Sequence, residues 1–189
     1  MRGRCAACGN GIPARYPIVE CAAALHAVVV AALFGLTATA ALAALFGWIL
    51  LALAVIDWET GYLPDWLTGA LALGGLSANA FSLFTPPLDA LIGAAAGALV
   101  FWAIGAAWRR WRGVEALGLG DAKLLGALGA WMGWEALPII VLAGSLASLA
   151  GVAISMLRGS EVGAGDAIPF GPGLAFGGYV VFLASPLTA

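Results

Sequence analysis

Charged side chains are scarce in this sequence. Only 10% of its 189 residues are Asp, Glu, Lys or Arg, whereas about a quarter are charged in an ordinary soluble domain. The basic residues number eight and form no stripe, which excludes nucleic acid as a partner. The hydrophobic fraction of 63% and the mean hydropathy of +1.03 are too high for a chain whose surface faces only water. The composition therefore predicts a protein that lies in a lipid bilayer.

Long polar segments are also missing. No linker is long enough to separate two cores, so we expect one membrane-embedded domain. The start of the chain, Met1 to Cys5, lacks the short apolar core and small-residue cleavage site of a secretory signal peptide. We divide the chain into a short basic cytoplasmic segment, residues 1–16, and a transmembrane domain, residues 17–189.

Long apolar runs fill the rest of the chain. A membrane-spanning helix needs about 20 mainly apolar residues, and the consecutive prolines Pro86 and Pro87 cannot continue a helix. On these criteria the predicted fold class is all-α, a polytopic membrane helix bundle with about seven transmembrane helices. The predicted spans are residues 17–35, 38–56, 66–84, 88–108, 121–137, 138–157 and 169–187.

The basic residues orient this bundle. If the N-terminus is cytoplasmic, every Lys and Arg falls on the inner side and the outer loops carry none. This distribution follows the positive-inside rule of membrane proteins. We therefore expect a cytoplasmic N-terminus.

Two acidic residues stand where predicted helices meet the inner face. Asp57 follows the second span, and Asp121 begins the fifth, directly after Gly118-Leu-Gly120. Two carboxylates at one membrane face suit an aspartic protease, in which like charges a few ångströms apart share a proton. The ionised carboxylate takes a proton from water while its neutral partner polarises the scissile carbonyl.

Helix capping is the alternative interpretation of some of these acids. Asp121 stands at the start of a predicted helix and Asp65 directly before one, positions where a carboxylate can accept hydrogen bonds from the first turn. Asp57 has no such explanation, because it stands at a predicted helix C-terminus, where the helix dipole disfavours an anion. Glu59, in the same inner loop, is expected to be solvated.

Several short segments resemble, in the same order, those of the bacterial type IV prepilin peptidases, membrane aspartic proteases of the Gly-x-Gly-Asp type. The resemblance covers nearly the whole chain. The matching segments are Arg2-Gly3-Arg4-Cys5-x-x-Cys8, Arg15-Tyr16-Pro17-x-Val19-Glu20, Ile56-Asp57, Tyr62-Leu63-Pro64-Asp65-Trp66-Leu67-Thr68, Gly118-x-Gly120-Asp121-x-Lys123-Leu124 and Ile168-Pro169-Phe170-Gly171-Pro172.

This resemblance implies a reaction and a partner. Asp57 and Asp121 would be the catalytic pair of an aspartic endopeptidase in the inner (plasma) membrane. The substrate would be the N-terminal segment of a prepilin or pseudopilin, cut on the cytoplasmic side of its apolar helix. The acidic inner surface, comprising Glu59, Asp65 and Glu115, could attract the basic leader of such a substrate.

The resemblance also suggests further substrate-binding residues. Gly118 and Gly120 would let an extended substrate backbone approach closely. Lys123 would either pair with a nearby acid or contact the substrate, and the sequence does not choose between these roles.

Cysteine is rare, with three in the chain. Longer proteins similar to this one carry another span and a first CxxC, and many also methylate the new N-terminus with S-adenosylmethionine. Here Cys5 and Cys8 supply two of the four thiolates of a zinc site, while Cys21 falls in the first span. We therefore interpret residues 1–16 as the remnant of a larger cytoplasmic domain and expect peptidase activity without methyltransferase activity. We expect reduced thiols and no cofactor on a reducing inner face, with a zinc ion shared between two chains as the alternative.

Polar and small residues inside the spans predict contacts between helices. His26, the only histidine, and Asn79 are expected to form interhelical hydrogen bonds rather than functional sites. Gly93-xxx-Gly97 and Gly129-xxx-Gly133 have the spacing that lets helix backbones approach closely. Chance explains such pairs equally well in a chain with 27 glycines, so both interpretations stay open.

Two other functions use the same features. An ion- or proton-coupled transporter could use the acids as a relay, but transporters place ionisable groups near the midplane and carry internal repeats. Here the acids cluster at one interface and no repeat is evident. A non-catalytic assembly partner in pilus biogenesis is the third hypothesis, which would hold only if no prepilin is cleaved.

Overall fold

The part of the chain that the structure describes forms a bundle of seven α-helices. The structure is a computed structural model, which describes Gly3, Cys8 and residues 10–113, 118–159 and 170–188. Its helices α1, α2, α4 and α6 have the length and hydropathy needed to cross a membrane. The predicted fold class, an all-α polytopic membrane bundle, is confirmed. The helices are α1 (Arg15–Phe34), α2 (Ala38–Thr60), α3 (Asp65–Asn79), α4 (Pro87–Arg112), α5 (Leu119–Met132), α6 (Leu137–Leu157) and α7 (Phe170–Thr188).

Local chemistry sets several of the helix boundaries. The Thr37 side chain accepts a hydrogen bond from the Ala40 N–H at 3.1 Å and so caps the start of α2. Gly61 ends α2 with φ of 64°, a left-handed conformation that glycine adopts without steric cost. Pro87 opens α4, where a residue without an N–H is tolerated.

Two helices are shorter than predicted. We expected spans to residues 84 and 137, but α3 ends at Asn79 and α5 ends at Met132. The Asn79 Oδ1 accepts hydrogen bonds from the N–H groups of Phe84 and Thr85, at 3.0 and 3.1 Å, and thereby holds the chain in a turn. At the end of α5, Gly133 takes φ of 79°. The predicted ends were wrong because apolar composition continues beyond the residues that turn the chain.

Helix α5 lies at the centre of the bundle. Every residue from Leu124 to Trp131 is buried, and α5 contacts α3, α4 and α7. The Trp131 Nε1 donates a hydrogen bond to the Leu71 carbonyl of α3 at 2.7 Å. Because the central helix is surrounded by others, its first turn, which carries Asp121, is held in place from several sides.

Glycines bring α4 and α5 into backbone contact. A Cβ added at Gly93 would lie 2.9 Å from the backbone carbon of Gly129, and one at Gly97 would lie 2.8 Å from that of Leu125. No side chain fits in such a space, so the interpretation of the glycine pairs as helix-packing positions is confirmed.

His26 and Asn79, both buried, form hydrogen bonds between helices, as predicted. His26 Nδ1 lies 3.0 Å from the Tyr179 hydroxyl and Nε2 lies 3.0 Å from the Ala44 carbonyl oxygen. Since a carbonyl can only accept, Nε2 donates and Nδ1 accepts from the tyrosine. The Asn79 Nδ2 donates to the carbonyls of Ala130 and Trp131, at 2.8 and 3.0 Å.

Candidate active site

Contacts between helix ends define one face of the bundle. Arg15 and Glu59 form an ion pair that joins the start of α1 to the end of α2. Lys123 and Asp65 form another, which joins the first turns of α5 and α3. The first turn of α7, at Gly171, meets the same region. These helix ends therefore lie together at one end of the bundle.

Asp57 occupies the last turn of α2. The helix runs to Thr60, one turn beyond the end that we predicted, and the Asp57 carbonyl accepts the N–H of Gly61 at 2.8 Å. The residue is buried, with 8% of its surface exposed. A buried carboxylic acid requires a compensating interaction or a functional reason, because burial disfavours charge.

Asp121 occupies the first turn of α5 and is partly buried. The helix is capped by Gly118, and no side chain forms a cap hydrogen bond there. At α3 the cap residue is Pro64, again without a side-chain cap bond. Neither Asp121 nor Asp65 is therefore the N-cap residue of its helix. Both stand in the first turn, where the helix dipole favours an anion, so that part of the capping interpretation holds.

The two carboxyl groups converge on the backbone of Gly171. A methyl group added at Gly171 would overlap Oδ2 of Asp57 and lie 3.3 Å from Oδ1 of Asp121. Both acids therefore reach the same small volume from different helices. The two groups are also close enough to interact electrostatically. This is the juxtaposition that a shared catalytic water requires.

Within residues 10–113, 118–159 and 170–188, no basic side chain forms an ion pair with Asp57 or Asp121. Among the described residues, the ion pairs involving Lys or Arg engage Glu59 and Asp65, and none engages Asp57 or Asp121. A structural ion pair would account for a buried acid without chemistry. The described residues offer no such ion pair to Asp57 or Asp121, which favours a functional role for the two acids.

The other predicted acids have partners within the chain. Glu59 pairs with Arg15, and Asp65 lies 2.6 Å from the Lys123 Nζ. In the absence of substrate, each ion pair offsets the negative charge that would attract a basic leader. Glu115, the third acid expected on this surface, lies outside the described residues. Roles of Glu59, Asp65 and Lys123 in substrate binding stay predictions.

The two glycines before Asp121 have neighbours inside the protein. A Cβ at Gly120 would lie 3.1 Å from the Leu63 side chain, and one at Gly118 would lie 3.5 Å from the Asp121 Oδ2. Close packing against Leu63 therefore gives Gly120 an intramolecular reason, whereas a methyl group at Gly118 would make only ordinary contact. Substrate contact by Gly118 and Gly120 stays a prediction.

Gly171 is a site residue that the sequence analysis missed. It stands in one of the segments that carry the family resemblance, and that segment was the available signal. Its approach to two acids from other helices is a tertiary contact, and no local pattern encodes it.

The cysteines that the structure describes are not grouped around a metal site. Cys8 and Cys21 are free and exposed, and Cys5 lies outside the described residues. Among the residues that are described, no three His, Cys, Asp or Glu side chains group as metal ligands. Both the expected absence of a cofactor and the alternative of a zinc ion shared between two chains stay predictions.

Fold and site together define a polytopic membrane protein in which two acids meet at one end of the helix bundle, without a basic partner among the described residues. Comparison with known proteins identifies the group to which it belongs. The model of the type IV leader peptidase family matches residues 44–156, which include both Asp57 and Asp121, and the model of the bacterial peptidase A24 N-terminal domain matches residues 1–34. The chain belongs to the type IV leader peptidase family.

Individual relatives agree with this assignment. The chain is 45% identical over 186 residues to the prepilin leader peptidase/N-methyltransferase of Aeromonas salmonicida, covering 97% of this chain and 62% of the relative. It is 47% identical over 183 residues to the protein of that name from Burkholderia pseudomallei, covering 94% and 57%. The corresponding Pseudomonas aeruginosa protein is 43% identical over 184 residues, covering 97% and 63%. The chain thus spans less than two thirds of the length of these relatives. No solved structure matches it significantly.

Proposed function

We propose that this chain is a membrane aspartic endopeptidase that removes the leader peptide of a type IV prepilin or pseudopilin. The observation that carries the proposal is the convergence of Asp57 and Asp121 on the space beside Gly171. Membership of the type IV leader peptidase family supports the reaction class, and the names of the relatives support the substrate class. The proposed location is the inner membrane, with cleavage at its cytoplasmic face.

The chemistry uses one ionised and one protonated carboxyl group. Two carboxylates that face one small volume cannot both ionise freely, so they share a proton. The ionised group accepts a proton from a water molecule, whose oxygen attacks the scissile carbonyl. The protonated group donates a hydrogen bond to the carbonyl oxygen on which negative charge develops. When the carbon–nitrogen bond breaks, the leaving amine takes up the proton that the first carboxyl group accepted from water, and that group is ionised again.

The position of the site suits a substrate that is itself embedded in the membrane. Asp57 lies in the last turn of α2 and Asp121 in the first turn of α5, so both lie near helix ends rather than in the middle of the bundle. A peptide bond just outside an apolar helix would be at this depth. The transporter hypothesis is not favoured, because its acids would be expected near the midplane.

Conservative substitution of each acid tests the proposal. Asp57→Asn and Asp121→Asn keep the side-chain shape but cannot ionise, so each should lower the rate of prepilin cleavage by at least about a hundredfold. Asp89→Asn is a matched control, because Asp89 lies in the first turn of α4, away from this site, and accepts a hydrogen bond from Trp134. Full activity in either active-site variant would remove that residue from the catalytic pair.

The same assay addresses the methyltransferase expectation. Mass spectrometry of the cleaved product, after incubation with S-adenosylmethionine, distinguishes a free N-terminal amine from a methylated one. We expect the free amine.

A further inference from the structure

A long apolar groove lies between α1, α2 and α7 on the outside of the bundle. Its volume is about 520 Å³, within the range of pockets that hold small ligands. Leu25 and Phe176 are largely exposed along it, at 64% and 58%. Other residues that line the groove include Val29, Leu51, Ala54 and Pro172.

The floor of the groove offers almost nothing to a polar ligand. Its polar side chains are His26 and Tyr179, and these bond to each other. The second ring nitrogen of His26 bonds to the Ala44 carbonyl. Because both nitrogens are engaged, an occupant would gain its binding energy from apolar contacts.

The groove runs parallel to the helices. On α7 it is lined from Pro172 to Leu183, and on α2 from Ala54 back to Gly47. A rise of eleven residues along α7 corresponds to about 16 Å. This is roughly half of the thickness of the hydrocarbon core of a bilayer. A trough of this length matches about three turns of an apolar helix.

The inner end of the groove reaches the candidate active site. Pro172 follows Gly171, the residue on which the two carboxyl groups converge. Ala54 lies one helical turn before Asp57. A helix seated in the groove would therefore present the residues at its inner end to Asp57 and Asp121. This continuity distinguishes a substrate helix from an acyl chain, which has no need to end at the acids.

We propose that this groove seats the apolar helix that follows the scissile bond in the substrate. The inference rests on the proposed function and extends it by assigning the surface that holds the membrane-embedded part of the substrate. The groove would then set the depth at which the scissile bond lies and would favour substrates whose apolar residues fit between α1 and α7.

Site-directed crosslinking tests this placement without requiring cleavage. Single cysteines are introduced at Ala54, Leu51 and Val29 in a chain whose native cysteines are changed to serine and whose Asp121 is changed to Asn. Each is paired with a prepilin carrying one cysteine at successive positions of its apolar helix. We expect Ala54→Cys to crosslink nearest the cleavage site and Val29→Cys about two turns further along. Leu45→Cys, on the exposed side of α2, is the control and should crosslink weakly.

Three other crosslinking results would contradict the placement of the substrate helix in the groove. Absence of crosslinks in the groove would indicate a lipid occupant, and crosslinks between two enzyme chains would indicate a second copy. Equal crosslinking at Leu45→Cys would indicate random contact. Because the measurement uses an inactive variant, the groove can be supported even if the proposed cleavage fails, and cleavage can stand if the groove fails.

A kinetic comparison adds a second readout. Leu51→Trp fills part of the groove, whereas Leu45→Trp adds the same side chain to an exposed position on the same helix. We expect Leu51→Trp to raise KM for an intact prepilin at least tenfold more than KM for a short peptide that contains the cleavage site without the apolar helix. An equal effect on both substrates, or no effect on either, would contradict the inference.

Discussion

The Lys123 Nζ lies 2.6 Å from the Asp65 Oδ1 and ties the first turn of α5 to the first residue of α3. Lys123 follows Asp121 by two residues, so the pair fixes the turn that carries a candidate catalytic acid. Both side chains are about half exposed, so the pair should contribute less than about 1 kcal/mol to stability. The pair can matter more for catalysis than for stability, because a displacement of Asp121 by about 1 Å can lower the cleavage rate about a hundredfold.

We therefore expect Lys123→Ala to lower kcat about tenfold or more while the thermal unfolding midpoint changes little. The measurement is steady-state prepilin cleavage together with unfolding followed by tryptophan fluorescence. The exchanged double variant, Asp65→Lys with Lys123→Asp, restores the pair and should recover part of kcat. If instead the single change raises KM only and the exchange recovers nothing, Lys123 contacts the substrate.

Gly171 offers a sharper test of the site. Alanine there would place a methyl group against the Asp57 and Asp121 carboxyl oxygens, which can rotate away. We expect Gly171→Ala to lower cleavage at least tenfold while unfolding stays close to that of the unmodified protein. Gly151→Ala is the matched control, because nothing lies within 4 Å of the added methyl group. Normal cleavage by Gly171→Ala would show that the two acids do not need the space beside this glycine.

The apolar runs predicted the number and order of the helices because helices that face lipid require long uninterrupted segments. The early ends of α3 and α5 were not predicted. Asn79 stops α3 by bonding to residues that follow it, and Gly133 stops α5 by taking a positive φ. Composition is the same on both sides of these residues, so only the geometry reveals the boundary.

The candidate site was predicted in part. Asp57 and Asp121 drew attention because acids are rare in such a chain, and the family resemblance assigned them one role. The contact of both with Gly171 depends on how α7 docks against α2 and α5, which is a relation between distant segments. The pairing of Glu59 with Arg15 likewise joins residues from two helices, and no local pattern indicates it.

Asn79 should be important for stability rather than for activity. It is fully buried and bonds to two carbonyls of α5 and two N–H groups of the following turn. Asn79→Leu would leave these groups without partners, at about 1–3 kcal/mol for each group that stays buried and unsatisfied. We expect a loss of at least about 2 kcal/mol in the free energy of unfolding, measured by tryptophan fluorescence in detergent.

Thr37→Val is the comparison for Asn79→Leu. It also replaces a polar group by an apolar one, but it removes only an exposed helix cap, at a cost of about 1 kcal/mol. Equal losses in the two variants would show that the Asn79 hydrogen bonds contribute no more than a surface cap.

The ion pair between Arg15 and Glu59 makes a prediction about substrate binding. Both side chains are partly exposed, so the pair contributes little to stability. If Glu59 attracts the basic leader of the substrate, Arg15 competes with that leader. Arg15→Ala should therefore lower KM severalfold, whereas Glu59→Gln should raise it, with kcat nearly unchanged in both.

Ionic strength provides the control for this electrostatic interpretation. Exposed charges are screened over about 10 Å at 0.1 M salt and about 3 Å at 1 M. The difference in KM between Arg15→Ala and Glu59→Gln should consequently shrink as salt is raised during cleavage assays. Salt screens the attraction between charges but does not change the packing of a side chain. A difference in KM that persists at high salt would therefore mean that Arg15 and Glu59 act through the shape of the α1–α2 junction.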